Sequence, residues 1–457
     1  MNPQIFREYD IRGVADRDLP DILVHALGQA IGESALGGSI DDLPAVVVGR
    51  DCRPTSPRLF EALSEGLRAH ADVVDIGVVP TPVAYFAQQL LQPAATVMIT
   101  GSHNPSEDNG FKVMIGAETL HGSAITQLRD RVTVLLTKSL LLPRRAISPY
   151  DVSPAYFRHA IKELRLGQRR LKVVVDAGNG AGGPTAIALY ASLGFDVVPL
   201  YCDMDGSFPH HHPDPTQPEN LVDLINAVQH LGADLGIALD GDADRVGAVD
   251  SEGRVLWGDQ LMILLGRTVL EEVPDACFVG EVKCSQVMYD ELERAGGRVD
   301  MWKVGHSLIK ARMKEIGAQL AGEMSGHLFF AHRWLGFDDG IYAGARLLEL
   351  LSRTEQSLAE LVDDLPPAIN TPEIRVDCPD DVKFKVVSRI TEALRRDPRV
   401  VDVVDIDGVR VKFADGWGLV RASNTQPALV VRCEARDAAS LAEIRATIES
   451  YVTAARA

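Results

Sequence analysis

The sequence predicts an α/β protein in which three related mixed or parallel α/β domains precede a smaller α+β C-terminal domain, all set around a central cleft. Three observations carry this. An apolar strand, a turn, a helix and a second strand recur in that order three times. Each copy ends in a further strand that runs into a polar, glycine-containing loop. From about Thr371 the pattern changes to short β-rich pieces and one closing helix.

The first copy opens with a strand at 46–50, continues with a helix near 58–69, and reaches the loop TGSHNP (100–105) through the strand 96–99. The second opens at 172–176, places a helix near 184–193, and runs from the strand 235–239 into DGDADR (240–245). The third opens at 277–280, with a helix near 285–295 and a short strand at 319–321 before GEMSGH (322–327). Strands alternating with helices imply parallel pairing, and ligands of such sheets bind beyond the carboxyl ends of the strands. Three domains can therefore aim three loops at one place. In the tail, strands are expected at 373–376, 400–406, 409–413 and 429–432, with a hairpin turn at Asp407-Gly408 and a helix near 438–454. The predicted divisions are 1–147, 148–253, 254–367 and 368–457.

At 457 residues the chain is too long for one ordinary core. A net charge of −18 argues against a duplex nucleic acid partner and requires a local positive pocket if the substrate is anionic. The six cysteines form no CxxC pair and read as reduced thiols. The first residues carry charge too early for a secretory leader, and no apolar run is long enough to span a bilayer. A cytoplasmic enzyme with no membrane partner is expected, its oligomeric state open between monomer and weak dimer.

The run Asp240-Gly241-Asp242-Ala243-Asp244-Arg245 is the most informative stretch. Three carboxylates that alternate directly after an apolar strand repel one another unless a cation sits among them. Oxygen-only ligands suit a hard ion, and Mg²⁺ favours a few carboxylates plus a phosphate oxygen. The bland reading is a solvated acidic turn; Arg245, a natural phosphate partner, weighs against it.

Ser102 follows a strand and a glycine, where a hydroxyl is expected to be exposed, and His103 lies beside it. Alone, that tripeptide reads better as a turn. A serine that takes up and returns a phosphoryl group needs a cation, however, and the acid loop would supply one. GEMSGH offers Glu323 and Ser325 as partners for hydroxyls and His327 as a proton carrier, although glycine-rich polar turns are common. The stretch 421–427, with Arg421, Ser423, Asn424 and Thr425, suits a phosphate and reads equally well as an ordinary turn.

Arg7, Tyr9, Asp10 and Arg12 form a charged cluster that on its own reads as solvated. Lys112, Lys283 and His306 read singly as surface residues. His210-His211-His212, between prolines, reads as a rigid polar loop rather than a metal tract. Gly178, Gly180 and Gly183 fit a dinucleotide-binding turn, with Asp203 where a ribose-binding acid would lie. That reading makes an oxidoreductase the rival, but it explains none of the other loops.

Taken together, FREYDIRG (6–13), TGSHNP, FPHHHPDPTQPENL (208–221), DGDADR, VGHS (304–307), GEMSGH and RASNTQP (421–427) resemble the motifs of the α-D-phosphohexomutase family over nearly the whole chain. TGSHNP with GEMSGH most resembles the phosphomannomutase/phosphoglucomutase branch. Phosphoglucosamine mutases, the alternative within the family, more often carry Ala before the serine and Gln in the sugar loop.

The resemblance implies four domains bearing in turn a phosphoserine loop, a metal loop, a sugar loop and a phosphate loop. It implies phosphorylated Ser102, and Mg²⁺ held by Asp240, Asp242, Asp244 and an oxygen of that phosphoserine. Glu323 and Ser325 would contact the sugar, with His327 as acid or base. Arg421, Ser423, Asn424 and Thr425 would hold the phosphate that is not transferred. Tyr9, Arg12, His103, Lys112, Arg245, Lys283 and His306 would lie near the sugar or the transferring phosphate. The implied reaction interconverts hexose 1-phosphate and hexose 6-phosphate through a 1,6-bisphosphate, which also serves as activator. A mobile fourth domain would let that intermediate turn over. A metal-dependent sugar-phosphate phosphatase could use the same residues. Gln426 departs from the family pattern, where Thr or Glu is common.

Overall fold

The computed structural model describes residues 1–36, 45–137, 144–424 and 426–456. It contains four sheets, and the first three share one plan. In each, the first strand of the repeat lies in the middle: Ala45–Arg50, Lys172–Asp176 and Cys277–Glu281. The second strand pairs parallel on one side: Asp72–Val78, Asp196–Leu200 and Arg298–Trp302. The third pairs parallel on the other: Ala95–Ile99, Leu235–Leu239 and Leu320–Gly322. A fourth strand then returns antiparallel beside the third: Asp108–Ile115, Val246–Asp250 and Leu328–Phe330.

Valine-rich runs such as 46–48 and 173–175 suit the middle strands, because helices cover both faces and every one of those six side chains is buried. The loops TGSHNP, DGDADR and GEMSGH all lie between the third and fourth strands of a repeat. The sequence expected parallel units; the antiparallel return is what folds each loop into a tight reversal at the sheet's end.

Apolar packing joins the first three domains. Phe86 from the first, Tyr156 and Tyr190 from the second, and Trp334 and Tyr342 from the third belong to one buried cluster. Tyr190 donates to Ile341 O at 2.8 Å and Tyr156 to Asp339 Oδ2 at 2.9 Å, so the phenols crossing that boundary are satisfied. The fourth domain has its own core, formed where helices Lys383–Leu394 and Ala438–Arg456 cover one face of an antiparallel sheet. Its apolar link to the third domain is small, built mainly from Val282, Trp417 and Leu419.

One element of the tail escapes the sequence reading. Gly416–Ala422 is a strand in the middle of the fourth sheet. Its two glycines disguise it, since glycine has little strand preference. Gly418 is nonetheless required there: a Cβ would come within 2.5 Å of Ile448 Cγ1 on the covering helix. Arg421 consequently sits on a strand rather than in a turn.

Candidate active site

The three loops and the start of the chain converge on a cleft of about 1200 Å³. Its lining includes Arg7, Arg12, Lys112, Arg245, Lys283 and Arg421, a concentration of cations in a chain whose net charge is −18. This is the local positive pocket that an anionic substrate needs.

Ser102 from the first domain meets the acid loop of the second. Its hydroxyl donates to Asp240 Oδ2 at 2.9 Å and lies 3.1 Å from His103 Nδ1. The sequence reading expected an exposed hydroxyl; Ser102 is only 2% exposed, because those two side chains lie against it at the floor of the cleft. Its backbone is left-handed, with φ +51°. Burial drives the His103 pKa well down, helped by Arg245 and Arg12, so this imidazole is neutral.

The acid loop presents a cation site. Asp240, Asp242 and Asp244 are all fully buried, with ligand atoms within 4.8 Å of one another. Asp242 Oδ1 is buried without a hydrogen-bond partner among the described residues. Three carboxylates with an unsatisfied oxygen fit a hard divalent ion. Burial and the two neighbouring carboxylates push the Asp240 pKa up. Lys112 supplies a protein cation: its Nζ donates to Asp242 Oδ2 at 2.7 Å and makes a shorter contact with Asp244 Oδ2. Burial opposes its charge, but the two aspartates override that and raise the Lys112 pKa well above its ordinary value. The reading of Lys112 as a surface residue is therefore corrected; its stem runs along a buried strand and its ammonium ends among acids.

His327 stands between the second and third domains. Its Nδ1 lies 2.6 Å from Glu323 Oε2, and its Nε2 lies 3.2 Å from both Asp244 Oδ1 and Arg245 Nε. The ring serves both carboxylates only as an imidazolium. Burial alone would lower its pKa; Asp244 and Glu323 override burial and raise it to about 9. Glu323 also accepts from the backbone N–H of Gly305 at 2.8 Å.

His306 and Lys283, also read singly as surface residues, are 8% and 7% exposed and line the cleft. The Lys283 ammonium lies 3.3 Å from Glu373 Oε2 of the fourth domain. Arg410 donates from Nη1 to Val282 O at 2.8 Å and Cys284 O at 2.7 Å, and Arg432 Nη1 donates to Lys283 O. Two arginines of the fourth domain thus clamp three consecutive carbonyls of the third.

Tyr9 lies at the meeting point of three domains. Its hydroxyl donates to Val304 O at 2.7 Å and accepts from Asn424 Nδ2. Its ring meets His306 edge-on, with centroids 6.0 Å apart. Arg12 bonds Asn104 Oδ1 at 3.0 Å and Asp10 Oδ2 at 2.6 Å. The N-terminal cluster is therefore packed, not solvated. Arg421 donates from Nε to Asp407 Oδ2 at 3.1 Å, and its Nη2 is buried without a partner among the described residues. Ser325, Ser423 and Asn424 line the same cleft; Thr425 lies outside the described residues. Gln426 accepts from Arg375 at 2.8 Å through its side chain.

The glycines of the dinucleotide-like turn pack the second domain's own loops. A Cβ at Gly180 would lie 2.6 Å from Gly241 O, and one at Gly183 2.2 Å from Cys202 O. The histidine tract is tied down locally: His211 Nε2 lies 3.1 Å from both Asp176 carboxylate oxygens, and His210 stacks on Tyr201 at 3.9 Å.

Sequence reading missed Asp338 and Lys310, which pair at 3.0 Å behind His306, and Glu373, which answers Lys283. The doublet Asp338-Asp339 was a signal, since adjacent acids before an apolar helix repel unless buried partners hold them.

Four family models match most of the sequence in succession. Those described as phosphoglucomutase/phosphomannomutase alpha/beta/alpha domains I, II and III match residues 3–133, 154–253 and 257–369, and the one for the C-terminal domain matches 373–450. The chain is 48% identical over 444 residues to a phosphomannomutase/phosphoglucomutase of Pseudomonas putida, covering 96% of this chain and 94% of that one. It is 42% identical over 453 residues to a phosphoglucomutase of Neisseria gonorrhoeae, covering 98% and 97%. A crystal structure of a phosphoglucomutase/phosphomannomutase family protein from Burkholderia thailandensis superposes with a TM-score of 0.90 at 41% identity, covering 99% and 98%.

Proposed function

The chain belongs to the phosphoglucomutase/phosphomannomutase family, and from that premise we propose how its residues carry out the reaction. It is an isomerase, a hexose-phosphate mutase. Our reading is that it converts hexose 1-phosphate and hexose 6-phosphate into one another by way of phospho-Ser102 and a 1,6-bisphosphate, in the cytoplasm. Glucose and mannose phosphates are both substrates, as the name of the Pseudomonas putida relative indicates for that protein. The observation that carries the reading is the 2.9 Å contact between Ser102 Oγ and Asp240 Oδ2, residues 138 apart in the chain and in different domains.

In the first transfer the P–Oγ bond of phospho-Ser102 breaks and a bond from phosphorus to O6 of the sugar forms. The sugar's 6-hydroxyl gives up its proton as the new bond forms, and Oγ takes one up as its bond to phosphorus breaks. His327, held between Asp244 and Glu323, is the acid or base on the sugar's side of the transfer. His103 orients Oγ. Arg421, Ser423 and Asn424, with Thr425 as a further candidate, grip the phosphate that stays, while Glu323 and Ser325 meet sugar hydroxyls. After the bisphosphate turns, the same steps run backwards at O1 and Ser102 regains its phosphoryl group.

Asp240, Asp242, Asp244 and a phosphoserine oxygen would hold Mg²⁺, which when bound neutralises charge on the transferring oxygens. Arg12, Lys112, Arg245 and Lys283 balance charge around the reacting groups, with the neutral side chains of Tyr9 and His306 beside them. A glucose 1,6-bisphosphate activator restores the phosphoserine whenever it is lost.

The test is a phosphorus NMR time course with glucose 1-phosphate, mannose 1-phosphate and glucosamine 1-phosphate, with Mg²⁺ and catalytic bisphosphate. Glucose and mannose phosphates should isomerise without release of inorganic phosphate. Ser102→Ala should bind substrate and lose turnover. Retained turnover in that variant refutes the scheme, and steady release of inorganic phosphate reassigns the enzyme as a phosphatase.

A further inference from the structure

We infer that the buried Asp51–Arg53 pair positions the phosphoryl-carrying loop, and that Arg53 acts on the reaction through Ser102 without touching substrate. This rests on Ser102 being the phosphoryl carrier.

The Arg53 side chain has no exposure. All five of its N–H donors are used. Nε donates to Asp51 Oδ2 at 3.1 Å. Nη2 donates to Ser102 O at 2.7 Å and Asn104 O at 2.6 Å, and Nη1 to Asp108 O at 2.9 Å and to Pro105 O. Four carbonyls of residues 102–108 thus turn inward onto one guanidinium. Asp51 completes the knot, accepting from Ser56 Oγ at 2.6 Å and from the Gly101 N–H at 3.2 Å. Ordinary folding does not need so many carbonyls gathered on one cation; a loop that must keep one shape does.

That shape is strained. Ser102 is held at φ +51°, a conformation that disfavours a non-glycine residue and persists only when the surroundings over-determine it. Gly101 makes room, since a Cβ there would lie 2.5 Å from Arg53 Cζ. The second domain closes the other side: the Phe208 ring lies 5.0 Å from the guanidinium, and a Cβ at Gly206 would come within 2.4 Å of Arg53 Cα. Arg53 therefore registers the Ser102 loop against the domain that carries Asp240.

Two transfers per turnover require Ser102 Oγ to return to one point. A displacement of about 1 Å at a reacting atom can cost about 100-fold in rate. Lysine in place of Arg53 keeps the charge but offers three donors on a flexible stem, so it cannot serve four carbonyls and Asp51 together.

The experiment compares wild-type protein, Arg53→Lys and Asp51→Asn. It measures kcat and KM, circular dichroism, and the rate at which glucose 1,6-bisphosphate phosphorylates Ser102 by intact mass and site mapping. In Arg53→Lys, kcat and the phosphorylation rate should fall together by about 100-fold while KM stays within about threefold, because the phosphate clamp lies in the fourth domain. Asp51→Asn, the milder change should Arg53→Lys not fold, should lose about tenfold in both rates at unchanged KM. A folded variant of either kind with wild-type kcat and phosphorylation rate overturns the inference, and so does a loss confined to KM. If the wild-type phosphate maps to a residue other than Ser102, the proposed mechanism falls first and this inference with it.

Discussion

Replacing Lys112 with methionine removes the ammonium that bridges Asp242 and Asp244 while keeping most of the side-chain volume. Both aspartates are fully buried, and the lysine contacts them at 2.7 Å and closer. Removing one partner of a buried ion pair costs about 3–5 kcal/mol, because the remaining charge is left uncompensated. With an unfolding entropy of about 2.1 cal/mol/K per residue, a chain of 457 residues shifts by about 1 °C per kcal/mol, so the variant should melt roughly 3–5 °C below wild type in EDTA. Divalent cation then becomes the variant's substitute. Without the competing ammonium the acid triplet should bind Mg²⁺ at least about tenfold more tightly, and each tenfold adds about 1.4 kcal/mol of ligand-linked stability. Millimolar Mg²⁺ should therefore raise the melting temperature of Lys112→Met about 1–2 °C more than that of wild type for each tenfold gain in affinity. Thermal melts of both proteins, with chelator and across a Mg²⁺ titration, read this independently of turnover. Equal melting in EDTA, or a Mg²⁺ shift no larger in the variant, would refute the argument that lysine and metal share the same carboxylates.

Asp339 caps the helix Gly340–Ser352, and burial raises its carboxyl pKa to about 7 even though the Tyr342 N–H and the Tyr156 hydroxyl pull it down. The folded state therefore holds this proton more tightly than the unfolded chain, so stability should fall as pH rises from about 4 to about 7 and level off above. Asp339→Asn keeps a good cap without the charge and should melt above wild type at pH 8, with a flatter profile; parallel profiles would discard the assignment. Arg432→Met should release one of the carbonyls around Lys283 and raise KM for hexose phosphates by about tenfold with a smaller change in kcat, since a hydrogen bond to a charged group is worth about 1.5–3 kcal/mol. Steady-state kinetics with unchanged KM would show that the clamp does not reach the substrate.

The three repeats were legible because their signals are local. A valine run, a turn and a glycine-marked loop announce each strand and each strand's end within ten residues or so. The acid triplet was legible for the same reason: electrostatic repulsion among Asp240, Asp242 and Asp244 is written into their spacing. What the sequence hid depends on partners far along the chain. Lys112 looks like any surface lysine until aspartates 130 and 132 residues away close on it. Arg53 looks like a charged turn residue until four carbonyls from residues 102–108 turn toward it. Gly416–Ala422 lacks a strand's composition because the closing helix, not the strand, dictates small residues there.

The phenol of Tyr9 fastens the beginning of the chain to its last sheet, and it does so lightly. Burial keeps its proton in place, so the joint is a neutral hydrogen bond received from Asn424, with a second made to Val304 of the third domain. Each such bond is worth about 1 kcal/mol, well within reach of thermal agitation on a millisecond scale. On the opposite flank Arg410 and Arg432 rivet the same sheet to residues 282–284 with charged donors. That asymmetry predicts a direction of swing: an opening of the cleft should begin at the tyrosine and pivot beside Lys283.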